Sequence, residues 1–180
     1  MAVDKDTELI NEFLSGSEAA YNKIAVKYQQ KIYWHARRML GNHSDADEVT
    51  QEVLIVIYKK LKDFKFNSSL FTWIYRITTT RSLNYIKKRN AKKFLFFLDE
   101  EQKDIKTNED IIKNVEDKEK MESLQKVLNE IPVKQREVFV LRHFEGMSYE
   151  EISEVTGKSV GGLKANYFHA LKKVKELTNE

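Results

Sequence analysis

The sequence has no cysteine, a single proline and only six glycines in 180 residues. Without cysteine there is no disulfide and no thiolate metal site, so the fold must hold by packing alone. With so few breakers, and with apolar residues recurring at a 3.6-residue period over long stretches, the chain reads as all-α. No apolar run is long enough to cross a bilayer, so no membrane insertion is expected. The start, MAVDKDTELI, lacks a basic segment followed by an apolar one; no signal peptide is expected, and the default location is cytoplasmic. An excess of one charge is also missing, since the formal net charge is only +3. What is present is 41% hydrophobic and 33% charged residues, enough to build a core in one domain or two small ones.

The charge is small in sum but uneven along the chain. Arg81 to Lys93, RSLNYIKKRNAKK, holds six cations and no acid, and Lys158 to Lys175 is likewise free of acids. Between them Asp99 to Lys120, DEEQKDIKTNEDIIKNVEDKEK, is acid-rich with few large apolar residues. That connector reads as a flexible linker, with helix resuming near Val115. Two basic modules on a tether fit one polyanion gripped at two places, because each Lys or Arg at a phosphate releases counterions.

Helices are expected over Asp6–Leu14, stopped by Ser15-Gly16, and from Ser17 or Glu18 to about Leu40, followed by the break Gly41-Asn42-His43. A third helix is expected to be capped by Ser44, with Asp47 at the capping-box position and Val49, Val53, Val56, Ile57 and Leu61 inward. Asp45, Glu48 and Glu52 fall on its outer side with Gln51 beside them; taken alone, they are acids favoured by the helix dipole on a solvated face. A fourth helix is expected from Ser69 or Leu70 to about Lys93. The stretch before it, Phe64-Lys-Phe-Asn-Ser-Ser69, interleaves aromatic, basic and small polar residues, and Thr80, Arg81, Asn84 and Tyr85 cluster in its middle. Rings, amides and cations in such a run suit unpaired bases, where stacking is worth about 1–3 kcal/mol per base. Trp73 is more simply explained by core packing.

The segment MSYEEISEVTGKSVGGLKANYFHALKKVK, residues 147–175, is the most specific. Ser148 with Glu151 has capping-box spacing. Gly157 supplies a turn and Ser159 a second cap. Leu163, Tyr167, Ala170, Leu171 and Val174 then line one side of a helix whose other side carries Lys164, Asn166, His169, Lys172 and Lys173. Two helices around a glycine turn, the second basic outside and apolar inside, form the pattern of a DNA-reading helix-turn-helix, although an ordinary helical hairpin shares it.

In order along the chain, several motifs resemble the bacterial RNA polymerase sigma factors of the sigma-70 family. Asp45-Ala-Asp-Glu-Val-Thr-Gln-Glu-Val is similar to their polymerase-binding segment. Ser69-Leu-Phe-Thr-Trp-Ile-Tyr-Arg-Ile-Thr, followed by Asn84-Tyr-Ile-Lys-Lys-Arg, is similar to their promoter-melting, minus-ten-reading helix. Ile131-Pro-Val-Lys-Gln-Arg, Glu145-Gly-Met-Ser-Tyr-Glu-Glu-Ile and Ser159-Val-Gly-Gly-Leu-Lys resemble their minus-thirty-five module. The two-module layout is similar to the extracytoplasmic-function (ECF) subgroup.

The resemblance implies an all-α fold of two small helical domains joined by a flexible acidic linker: a region 2-like domain over 1–95, a linker over 96–118, and a region 4-like helix-turn-helix domain over 119–180. It implies that Asp45, Asp47, Glu48, Gln51 and Glu52 face the clamp helices of core RNA polymerase, with the flap as a further polymerase contact. Phe64, Phe66, Asn67, Ser68 and Ser69 would pocket a flipped base. Trp73, Thr80, Arg81, Asn84, Tyr85, Lys87, Lys88 and Arg89 would meet the minus-ten DNA, single- and double-stranded. Lys164, Ala165, Phe168, His169 and Lys172 would meet the upstream element, with Lys158 and Ser159 at phosphates. An anti-sigma factor is an optional further partner; no catalytic residue, metal or cofactor is implied. Thr80 replaces a frequent Asn, Phe66-Asn-Ser-Ser69 a Gly-Asp-Ser-like run, Gly162 a common Thr and His169 a frequent Arg, departures that bear on which promoter is read.

Two other readings compete. One is a helix-turn-helix regulator that never binds polymerase; the acidic stripe and the aromatic loop argue against it. The other is a nuclease using Asp45, Asp47 and Glu48 on a metal, but the four histidines show no i, i+4 ligand pairing and the acids are accounted for by helix capping.

Overall fold

The computed structural model describes residues 5–98 and 115–178. Among these residues the regular structure is entirely helical. Helices α1 (Lys5–Leu14), α2 (Glu18–Leu40), α3 (His43–Lys60) and α4 (Leu70–Leu98) form an N-terminal module. Helices α5 (Val115–Glu130), α6 (Val133–Phe139), α7 (Tyr149–Thr156) and α8 (Val160–Thr178) form a C-terminal one. A 3-10 turn over Leu61–Asp63 closes α3, and a π-helical segment over Val140–Phe144 follows α6.

The breaks fall where local chemistry demands them. Gly41 ends α2 at φ +94°, a conformation that only glycine enters without a Cβ penalty. The chain leaves Gly41 extended, so Asn42 occupies the cap of α3 and its side-chain oxygen accepts from the Asp45 amide at 2.9 Å. The expected Ser44 cap is therefore displaced by two residues, because Ser44 already lies inside the first turn. Ser148 and Glu151 form the full capping box of α7, and Gly157, at φ +70°, turns the chain into α8. The Ser159 hydroxyl accepts from the Gly162 amide at 3.3 Å.

α2 is the spine of the N-terminal module and packs on α1, α3 and α4. Ile24, Tyr28, Ile32, Ala36 and Leu40 recur along its buried side and meet Val49, Val53 and Ile57 of α3 and Ile74 and Ile86 of α4. Val56, expected inward, is half-buried at the edge of the stripe. In the C-terminal module Val138, Leu141, Met147, Ile152, Val155 and Leu163 close the core of the helix-turn-helix. The two modules are docked. α4 lies along α7, and α2 touches α5, α6 and the π-helical segment. The linker expectation over 96–118 falls mostly outside the described residues; α5 begins at Val115.

Candidate nucleic-acid interface

α3 presents Asp47, Glu48, Gln51 and Glu52 to solvent, with Gln51 Nε2 donating to Asp47 at 2.9 Å. Ile55, 54% exposed, continues this stripe three residues beyond Glu52, so the acidic face runs on into an exposed apolar residue at its end. Sequence reasoning passed over Ile55; the signal was an aliphatic residue in register with Glu48 and Glu52. Asp45 is placed differently. It is turned into α4, where it accepts from the Tyr85 hydroxyl at 2.8 Å, Arg89 Nη1 at 2.7 Å and Asn42 Nδ2 at 2.8 Å. Burial raises the Asp45 carboxyl pKa, but these hydrogen bonds outweigh it and hold the group below the usual carboxylate range. Glu48 accepts from the same Tyr85 hydroxyl at 3.2 Å, and Arg81 lies 3.9 Å from Glu52. Residues 81, 85 and 89 of α4 thus pair with 52, 48 and 45 of α3 in a ladder along the helix contact. Asp45 and Glu48 share the Tyr85 hydroxyl, whereas Asp47 turns to Gln51.

The loop before α4 is built around Phe64, which is 8% exposed and packs against Phe66 and Trp73 at ring separations of 4.9 and 5.3 Å. Phe66 itself is 47% exposed, and its backbone sits at φ +56°, left-handed for a bulky residue. Such a backbone costs about 1–2 kcal/mol, so the surrounding contacts over-determine it. Asn67 is exposed and Ser68 half-exposed beside the ring. Ser69 caps α4: its hydroxyl accepts from the Thr72 amide at 3.1 Å. Beyond the loop, Thr80, Asn84, Lys87 and Lys88 are exposed and Arg81 half-exposed on the outer side of α4, while Trp73 is half-buried. Tyr85 and Arg89 are turned to α3, and Thr78 and Thr79 are buried.

On α8, Lys164, Ala165, Phe168, His169 and Lys172 are exposed together, with Phe168 at 65%. Leu163 and Ala170 anchor the opposite side. Lys164 Nζ reaches to 5.7 Å above the Tyr149 ring. Lys158, expected at a phosphate, is paired with the buried Glu137 carboxylate and so also neutralises a charge inside the module. The structure therefore gathers the α8 residues into one outward face and most of the α4 residues into another, while Asp45, Tyr85 and Arg89 bond to one another across the α3–α4 contact. No helix among the described residues is long and apolar enough to cross a membrane.

Comparison with known proteins matches this architecture in two places. Residues 24–92 match the family description "Sigma-70 region 2" and residues 121–174 match "Sigma-70, region 4", together more than half of the chain. The RNA polymerase sigma-H factor of Pseudomonas aeruginosa is 26% identical over 174 residues, covering 93% of this chain and 90% of that protein. The ECF RNA polymerase sigma-E factor of Escherichia coli K12 is 26% identical over 172 residues, covering 92% and 90%. In fold, the chain is similar to CnrH as seen in complex with the cytosolic domain of CnrY, with a TM-score of 0.74 and 20% identity over 98% of both chains. It is also similar to RpoE of Bartonella quintana in complex with the anti-sigma factor NepR, with a TM-score of 0.71 and 19% identity over 88% of this chain and 96% of that one. With both regions present in order on one all-helical chain, the protein belongs to the bacterial RNA polymerase sigma factors of the sigma-70 family, in its extracytoplasmic-function subgroup.

Proposed function

We infer that the chain is a transcription initiation factor that binds core RNA polymerase, directs it to particular promoters and helps to open them. The observation that carries this is the presence, in sigma-70 order, of an exposed acidic helix face on α3, an exposed aromatic loop with a basic α4 face, and an exposed α8 reading face. Asp47, Glu48, Gln51 and Glu52, with the exposed Ile55 at the end of the stripe, make the polymerase contact, the polar groups giving it specificity and Ile55 giving it apolar area to bury. Asp45 supports that face from behind by fixing α3 to α4.

Phe66, Asn67 and Ser68 take up an unpaired base above the Phe64–Trp73 floor, and Thr80, Arg81, Asn84, Lys87 and Lys88 follow the minus-ten strand. Unstacking costs on the order of a few kcal/mol per base, and capture of the exposed base offsets it. Lys164, Ala165, Phe168 and His169 meet base edges in the minus-thirty-five groove, with Lys172 and Ser159 at phosphates. The domains follow as 1–95 and 119–180 on either side of the linker. The protein carries out no bond chemistry of its own. Its work places it in the cytoplasm, where polymerase and chromosome are, and an anti-sigma factor is a fitting regulatory partner.

Transcription by purified core polymerase on a pooled promoter library tests the reading. The protein should bind core in a pull-down and select a subset of promoters with a shared upstream and minus-ten element. DNA binding without core binding would instead indicate a helix-turn-helix regulator.

A further inference from the structure

The last turns of α4 carry apolar and basic side chains around most of the helix. Phe94, Leu95 and Phe96 are consecutive and 66%, 63% and 65% exposed. Lys87, Lys88, Lys92 and Lys93, just before them, are exposed as well. From Arg81 to Leu98 the sequence holds no acid. Arg81 and Arg89 are faced by Glu52 and Asp45 of α3, whereas among the described residues no acidic group pairs with the four lysines. Nor do the three apolar side chains belong to either core cluster of the described residues. Contiguous apolar surface left in water is unfavourable and marks a contact. Promoter reading draws on Lys87 and Lys88 but gives no task to Lys92, Lys93 or the three apolar residues.

Helix geometry narrows what can cover this surface. Successive residues step by about 100°, so Phe94, Leu95 and Phe96 fan over about 200° of the helix. A protein groove takes one side of a helix, at positions i, i+3, i+4 and i+7, and leaves the others in water. DNA admits a large apolar side chain by parting a base step, which costs unstacking each time. A bilayer takes all three side chains at once, because acyl chains are fluid and meet a helix end from every direction. The lysines decide the sign of that bilayer. Lys87 to Phe96 span about 14 Å along the axis. With the helix oblique to the surface, the four ammonium groups reach one headgroup layer while the apolar turn dips about 5–10 Å below it.

We propose that the end of α4 is a peripheral membrane-binding site, which sets Phe94, Leu95 and Phe96 below the headgroups of an anionic phospholipid bilayer and holds its lysines against the phosphates. Stable attachment of this kind takes an apolar insertion and a polybasic patch together, and the two stand within three turns of one helix. Lys87 and Lys88 also belong to the minus-ten face, so a bilayer and promoter DNA compete for the same end of α4. That competition rests on the promoter-reading function; the lipid contact itself does not, and is measured without DNA.

Co-sedimentation of the full-length protein with vesicles tests the site. One set of vesicles is phosphatidylcholine alone; the other mixes it in equal parts with phosphatidylglycerol. The protein should bind the mixed vesicles and stay free of the neutral ones. Phe94→Ser with Phe96→Ser should lower the partition coefficient about tenfold or more. Lys92→Gln with Lys93→Gln should lower it about 25-fold, at about fivefold for each cation near the surface. All four side chains are exposed, so both variants should keep the wild-type circular dichroism. An environment-sensitive dye on Ala91→Cys, in a chain without native cysteine, should shift to the blue on the mixed vesicles. Failure to bind them would overturn the site. Binding that survives loss of the two aromatics would overturn it too, since charge alone would then hold the chain. Weaker promoter binding by the aromatic variant with no vesicles present would assign the face to DNA instead. Core-dependent transcription by a chain that ignores both vesicles removes the membrane site alone; lipid binding by a chain that does not bind core removes the promoter reading alone.

Discussion

Asp45 is turned into α4, whereas Glu48, three residues on, stays in water at the edge of the same contact. The two carboxylates should therefore respond differently to substitution. Asp45→Asn loses the ionic half of its bonds to Arg89 and Tyr85 and should destabilise the N-terminal module by about 1.5–3 kcal/mol, read from the midpoint of urea unfolding, while leaving core affinity nearly intact in the folded protein. The sign with pH follows from the depressed pKa. Stabilisation by Asp45 is fully present above the ordinary carboxylate pKa, near about 4, and is lost as pH falls through the lower folded value. Wild type and Asp45→Asn should accordingly converge in stability in strong acid. Glu48→Lys with Glu52→Lys is the converse case: both side chains are exposed, so helicity by circular dichroism should be retained and core binding abolished. Undiminished affinity for core in that double variant would remove the α3 face from the interface.

α8 separates base reading from backbone gripping within one element. Lys164 sits beside Phe168 and His169 on the exposed side, two turns ahead of Lys172. Lys164→Ala should cost roughly 1–3 kcal/mol at a matched upstream site and relax the preference there. Lys172→Ala should weaken binding to all sequences alike and lower the salt slope by about one unit. Uniform loss in both, measured across a library of upstream sequences, would confine α8 to the backbone. In the loop before α4, Asn67→Ala with Ser68→Ala should reduce permanganate-detected melting more than closed-complex binding, because both side chains stand beside the strained Phe66 without supporting the core.

The helices themselves were legible in the sequence, since the 3.6-residue period, the Ser148–Glu151 box and Gly157 are local signals that the folded chain obeys. The cap of α3 was not, because Asn42 and Ser44 are both good caps and the choice depends on where Gly41 releases the chain. Nor was the orientation of Asp45, Tyr85 and Arg89. Neighbouring helical positions differ by about 100°, so which acid meets α4 depends on how the helices cross, and a single strand of sequence does not encode that in any one place.

At the scale of the whole molecule the docking of the modules had no sequence signal at all. Arg38, Tyr75 and Glu145 stand on three segments distant in sequence, and nothing local to any of them marks the contact that they make. Yet the consequence for stability is large. Leu128, Ile131, Phe139 and Val140 of the C-terminal module share one apolar cluster with Ile32, Ala36 and Ile74 of the N-terminal one. Modules that share buried surface unfold together when their coupling exceeds the stability of either alone. Both tryptophans, Trp34 and Trp73, lie in the N-terminal module, Trp34 beside the Arg38 guanidinium, so their fluorescence reports that half and its docking, whereas circular dichroism reports both halves. Wild-type urea transitions followed by the two probes should coincide. Leu141 is fully buried in the core of the helix-turn-helix, and truncating such a leucine costs about 2–5 kcal/mol. Leu141→Ala should therefore lower the urea midpoint seen by tryptophan fluorescence although neither tryptophan belongs to its module. If the fluorescence transition stays where it was while the circular dichroism transition splits in two, the modules fold independently and their contact contributes little to the stability of either.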